Sequence, residues 1–201
     1  MPRKPNYDRN ALIDRARDLF WKQGWAGTSL KDLERTLGLN PGSFYAAFGS
    51  KNALFELALD RYAEGGVSRL NALVEEFGAL GALQRYPSLV IDPSSASAKA
   101  CMLAKTVLEL KDQEEDLAAC ANAHLSNMET LFAALFREAQ AAGQIAQSYD
   151  AETLARRYQS DLLGLRVTAE RSDVSAEAIA QEIAESLVRL ADKKPRQSAT
   201  G

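Results

Sequence analysis

Cysteine and histidine are nearly missing from this chain: two Cys and one His stand among 201 residues. Two Cys make no disulfide framework and fit a reducing cytoplasm. A single His leaves little material for general acid–base catalysis. Neither a Gly-rich phosphate loop following a strand nor a nucleophile elbow is present, so no enzyme is expected. No apolar stretch approaches the ~18 residues of a membrane span, and no signal-peptide pattern opens the chain. The expectation is a cytoplasmic protein without a membrane partner and without a cofactor. β-branched apolar residues are also scarce, with 7 Val and 5 Ile against 34 Ala and 27 Leu. Ala and Leu head the helix-propensity scale while β-branched residues favour strands, which predicts an all-α fold.

What is present is globular composition, 46% hydrophobic and 25% charged. The net charge of −3 hides an asymmetry. Residues 1–51 hold nine Lys/Arg against five Asp/Glu, whereas residues 52–201 hold fifteen against twenty-two. A basic N-terminal quarter on an acidic body points to one end that meets a polyanion.

Apolar periodicity and cap residues predict about nine helices. After a basic arm from Pro2 to Pro5, the first runs from Asp8 to Gln23 and stops at Gly24. Ser29 with Asp32 is a capping-box pattern opening Leu30 to Leu37. Asn40 as N-cap and Pro41 at the first helical position start a second short helix ending near Phe48. Ser50 caps a long segment from Lys51 to about Phe77, softened at Gly65–Gly66. Tyr86 to Ser97, with two Pro and four Ser, reads as a loop. Further helices are expected at 99–111, 113–142, 150–171 and 175–192, followed by a disordered tail over 193–201.

Helix, tight Gly turn and helix over residues 29–48 is helix-turn-helix spacing, in which the second helix lies in a major groove. A helical corner packed for stability alone has the same pattern. The stretch from Thr28 to Leu54 then resembles the DNA-binding domain of TetR/AcrR-family regulators. That family's pattern is roughly T-x4-I-A-x3-G-V-S-x-G-x2-Y-x2-F-x2-K-x2-L. Thr28, Gly38, Gly42, Tyr45, Phe48, Lys51 and Leu54 match identically, and Leu33 and Leu39 conservatively. Glu34, Asn40 and Ala47 depart from it. The resemblance implies that Thr28, Tyr45 and Lys51, with Lys31 as an addition, position the DNA backbone. It implies that Asn40, Pro41, Ser43 and Phe44 lie where such proteins meet bases. Phe44 and Phe48 also read as core residues.

The resemblance further implies a three-helix DNA-binding domain over 1–50 and a helical effector-binding and dimerisation domain over 51–192. Double-stranded operator DNA, a small-molecule effector and a second copy of the chain are the implied partners, and the implied function is a repressor released by a small organic molecule. Leu154, Tyr158, Leu162, Leu165 and Val167, and then Ile179, Ile183, Leu187 and Leu190, form apolar stripes that are expected to pair as a dimer interface, with Ile183 and Leu187 at its centre, although a monomer core has the same pattern. Polar and aromatic residues on otherwise apolar helices mark a pocket: Tyr62, Tyr86, Cys101, Lys105, His124 and Met128. Cys120 and His124 share a helix face at i, i+4, and with Cys101 they give an alternative thiol- or metal-responsive regulator. No metal site is assigned, because Cys is often a small buried hydrophobe.

Overall fold

The computed structural model describes residues 8–92 and 98–191. The basic arm, residues 93–97 of the expected loop, and the tail over 193–201 lie outside the described residues. Among those described, the fold is eight helices and no strand: α1 Arg9–Gln23, α2 Leu30–Leu37, α3 Pro41–Phe48, α4 Lys51–Ile91, α5 Met102–Leu110, α6 Glu115–Ala141, α7 Ala151–Thr168 and α8 Ala176–Val188. No described helix is long and apolar enough to cross a membrane.

Local chemistry fixes the first three helices. Asp8 caps α1 by accepting from the Asn10 amide. Ser29 and Asp32 close a reciprocal capping box on α2, and Gly38 ends that helix with left-handed backbone at φ 70° and ψ 32°. Only a residue without Cβ adopts that conformation cheaply, so Gly38 sets the sharp turn into α3. Asn40 caps α3 through the Ser43 amide at 2.8 Å, an interaction worth about 1 kcal/mol.

Two stretches differ from the sequence expectation. α4 runs without interruption through Gly65–Gly66 and breaks instead at Gly78, where φ is 70° and ψ 178°, so two helical arms, 51–77 and 79–91, meet at one kink. The expected loop begins later than Tyr86, because 86–91 are helical with Pro87 inside. Proline lacks the amide that would bond the carbonyl four residues earlier. Here the buried Tyr158 hydroxyl donates to that Leu83 carbonyl at 2.6 Å, so the helix survives its proline.

Two apolar cores divide the molecule. The first joins Phe20, Leu33, Phe44 and Phe48 of α1–α3 to Leu54, Phe55 and Leu59 of α4, and reaches Leu110 and Ala121 of α5 and α6. The Phe20 and Phe55 rings meet edge-on at 4.8 Å, fixing α1 to α4. The helix-turn-helix therefore shares its core with the body. The second core gathers Leu83, Phe132, Phe136, Tyr158, Leu162, Ile183 and Leu187. Ile183 and Leu187, expected at a dimer interface, thus belong instead to the core of the single chain, because α8 packs them against α4 and α7. Val167 and Val188, 61% and 58% exposed, are the large apolar side chains that α7 and α8 leave outside.

Candidate functional site

The helix-turn-helix presents α3 outward. Asn40, Pro41, Gly42, Tyr45 and Ala46 are exposed, and Ser43 and Ala47 partly so. Tyr45 is half exposed, its ring held edge-on to Phe44 at 5.5 Å. Phe44 is fully buried and anchors the helix from behind. Thr28 is also fully buried, and its hydroxyl donates to the Gly24 carbonyl at 2.7 Å. Both residues shape the element from within, and neither side chain reaches the exposed face. Lys31 is exposed on α2.

Lys51 opens α4 beside this face. Its ammonium sits 3.9 Å from the centre of the Trp25 ring, a cation–π contact. Burial lowers its pKa from the ordinary lysine value, while the Glu109 and Glu114 carboxylates pull it back up. Sequence reasoning missed this surrounding network. The Trp25 indole donates to Asn52 at 3.0 Å, and Asn52 donates to Glu114 at 2.8 Å. Glu109, on α5, accepts the amides of Trp25 at 3.3 Å and Ala26 at 2.7 Å. One carboxylate of the body thus grips the turn between α1 and α2.

A cavity of about 750 Å3 opens between α4, α5, α6 and α7. It brings together five of the six residues expected for a pocket: Tyr62, Tyr86, Cys101, His124 and Met128. Lys105 is not among its lining residues; its ammonium donates to the Trp21 carbonyl at 2.9 Å. Burial raises the Tyr62 hydroxyl well above the ordinary tyrosine range, with the neighbouring Cys101 thiol adding to the rise. Burial also raises Tyr86, and the Arg166 and Arg69 cations oppose it.

The wall holds polar groups the sequence did not single out: Arg69, Gln159 and Arg166. The Gln159 amide donates to the Leu125 carbonyl at 3.0 Å, leaving its buried Oε1 without a partner, and the buried Nε of Arg69 has none either. Arg166 donates to the Lys99 carbonyl at 3.0 Å, and Glu170 accepts the amides of Lys99 and Ala100. These bonds fix the entry to α5, where Cys101 is the N-cap. Nothing in the local spacing signals these partners, because Lys105, Glu109, Arg166 and Glu170 each bond to backbone more than 65 positions away.

The two thiols lie in different surroundings. Cys101 is buried on the cavity wall. Cys120 is half-buried on α6, its thiol raised first by burial and then by the negative charge of Asp60 and Glu56. The group that brings Cys120 and His124 together has Asp60 as its third member and does not include Cys101.

Comparison with known proteins agrees with this geometry. Residues 12–58 match the family model described as bacterial regulatory proteins, tetR family, and residues 66–170 match that of a tetracyclin repressor-like C-terminal domain. The chain is 29% identical over 188 residues to the HTH-type transcriptional repressor ComR of Escherichia coli (strain K12), covering 92% of this chain and 89% of that one. A cysteine mutant of the TetR family regulator CifR, complexed with 26bp double-strand operator DNA, superposes with a TM-score of 0.79 at 28% identity, covering 94% of this chain and all of that chain. A TetR family regulator from Cytophaga hutchinsonii has the same fold, with a TM-score of 0.84 at 22% identity over 92% of this chain and 96% of that one.

Proposed function

This chain belongs to the TetR family of bacterial regulatory proteins, and from that premise we propose a homodimeric, cytoplasmic repressor released from its operator by a small organic molecule bound in the cavity. In this reading Tyr45, Lys51 and Lys31 hold phosphates, while Asn40, Pro41 and Ser43 face the bases. Thr28 and Phe44 support the element from inside. Two copies would place two α3 helices in successive major grooves of a palindromic site.

The observation that carries the control mechanism is the span of α5. Its N-cap Cys101 and Leu103 line the cavity. At its other end Glu109 holds the amides of Trp25 and Ala26, and Lys105 holds the Trp21 carbonyl between them. A ligand that moves α5 would pull on the α1–α2 turn and on α4, changing the spacing of the recognition helices. Release requires that the ligand prefer the DNA-incompetent arrangement; a hundredfold loss of operator affinity corresponds to about 2.7 kcal/mol of differential binding.

The cavity's free groups describe the effector. Tyr62, Tyr86 and Phe132 suit an aromatic or planar apolar body, the unpartnered Gln159 Oε1 asks for a donor, and Arg69 asks for an acceptor. The test is fluorescence anisotropy of the purified chain on DNA from upstream of its own gene, with and without candidate effectors. Saturable binding reversed by a small molecule is expected; no operator-specific binding at low salt would overturn the reading.

A further inference from the structure

One cluster of chemistry-bearing side chains is used neither by the α3 face nor by the strut along α5. Asp60 on α4 meets Cys120 and His124 on α6, and a carboxylate oxygen, the thiol sulfur and an imidazole nitrogen all lie within 4.8 Å of one another. Asp60 Oδ1 and His124 Nε2 already share a hydrogen bond at 2.8 Å. We propose that Asp60, Cys120 and His124 bind a divalent metal ion of the zinc class, and that the ion ties α4 to α6 and so resets operator affinity.

The donor set chooses the ion. A thiolate and an imidazole favour borderline or soft metals, whereas a carboxylate disfavours the softest, leaving zinc-class divalent cations. Tetrahedral zinc with these ligands places donor atoms roughly 3.3–3.7 Å apart. The 2.8 Å Asp60–His124 pair would open by about 0.5 Å and the widest separation, at most 4.8 Å, would close by up to about 1.3 Å, within the reach of side-chain rotation. Cys120 and His124 stand one turn apart on a rigid helix, which sets two ligands in advance. All three residues are half-buried, so an ion can enter yet is shielded once bound. Three protein donors leave a fourth position for water, or for Glu56, one turn before Asp60 on the same face of α4.

The position gives such an ion leverage. α4 begins directly after α3, with Ser50 as its cap, so a bond from Asp60 to α6 acts on the helix that carries the recognition element. Asp60 and His124 also line the cavity, which puts the ion in its wall. The metal site stands on its own geometry; the coupling rests on the operator-binding reading above.

His124 is the chain's one histidine, so its imidazole resonances need no assignment. Tag-free, reduced protein titrated with Co2+ should bind one equivalent, show a thiolate-to-cobalt charge-transfer band and tetrahedral d–d bands, and shift those resonances. Zn2+ should displace the cobalt and raise Tm. Cys120→Ser should lose the charge-transfer band, Asp60→Asn and His124→Ala should each weaken binding at least about tenfold, and Cys101→Ser should bind as wild type. Circular dichroism identifies any variant that fails to fold, and wild type with Cys101→Ser then decides the matter alone. A wild type without the band, unmoved imidazole signals, or a band lost in Cys101→Ser would overturn the site. In a second arm, Zn2+ should change operator affinity at least about tenfold in wild type and leave Cys120→Ser unchanged. An unchanged wild type that carries the band would overturn the coupling. A wild type that ignores operator DNA with or without Zn2+ would instead overturn the operator reading, while the spectra still judge the metal site.

Discussion

The Tyr158 hydroxyl bonds the Leu83 carbonyl at 2.6 Å, in the place that the missing amide of Pro87 leaves vacant. Tyr158 is almost fully buried on α7, and its ring meets Phe132 edge-on at 4.9 Å. Tyr158→Phe should therefore cost about 1–3 kcal/mol, because a buried carbonyl is left unpaired. Pro87→Ala in that background restores an amide at the right spacing and should recover part of the loss. Urea unfolding of the four proteins of this cycle measures both effects; equal costs of Tyr158→Phe with and without Pro87 would remove the link.

Lys51→Ala should weaken operator binding across all sequences and reduce the salt slope by about one unit, because phosphate contacts carry no base code. Tyr45→Phe removes one hydroxyl from the exposed face and should cost about 1–2 kcal/mol of binding, again irrespective of sequence. Ser43 substitutions should instead change which operator bases are preferred. Anisotropy over a range of salt and a panel of operator variants separates these effects. Unaltered affinity and slope in folded Lys51→Ala would take that residue out of the interface.

Burial divides the apolar residues of α7 and α8 into two groups with opposite expected phenotypes. Val167→Asp and Val188→Asp lie on the outside and should weaken the proposed dimer while Tm stays near wild type. Ile183→Asp and Leu187→Asp place a charge in the protomer core and should unfold the chain, at a cost of several kcal/mol. Light scattering with thermal unfolding reads both properties. A folded monomer produced by Ile183→Asp would contradict this division.

Glu109→Ala breaks the grip on the Trp25 and Ala26 amides without touching the cavity. An effector should still bind with near wild-type affinity, but its effect on operator affinity should shrink severalfold. Calorimetry for the effector and anisotropy for the operator give the two numbers. Full retention of the effector's influence would show that α5 is not the route.

Two carboxylate caps make stability depend on acid. Bonds from the Ser29 hydroxyl and amide hold Asp32 below the ordinary carboxylate pKa of 3.8, and bonds from the Thr153 hydroxyl and amide do the same for Asp150. A depressed folded pKa means the unfolded chain takes up the proton first. The caps therefore contribute fully above the ordinary value, and the contribution is lost as pH falls through it towards the folded one. Asp150→Ala should lower Tm at neutral pH, and its gap from wild type should narrow below about pH 4. A gap of constant size across that range would argue against the cap.

The local elements were legible in the sequence because local chemistry makes them. Ser29, Asp32, Gly38, Asn40 and Pro41 act on backbone groups within four residues of themselves, so α2 and α3 could be bounded before any packing was known. Five residues of the cavity wall, Tyr62, Tyr86, Cys101, His124 and Met128, stood out as polar, aromatic or sulfur-bearing positions on otherwise apolar helices, although Tyr158, of the same kind, packs in the core instead. Helix continuity beyond Tyr86 was not legible, since it depends on Tyr158, 75 positions from Leu83. Nor was the role of Lys105 and Glu109, which reach back more than 80 positions to Trp21, Trp25 and Ala26. Asp60 joins Cys120 and His124 only because α4 and α6 lie side by side, and no spacing along the chain records that. The all-α class, the caps, the turn and the helix-turn-helix could be read along the chain, since these rest on interactions within one or two helical turns. Tertiary structure alone decided which apolar stripe is core, which thiol faces the cavity and which carboxylate holds the recognition domain, because each is a choice of partner made by packing.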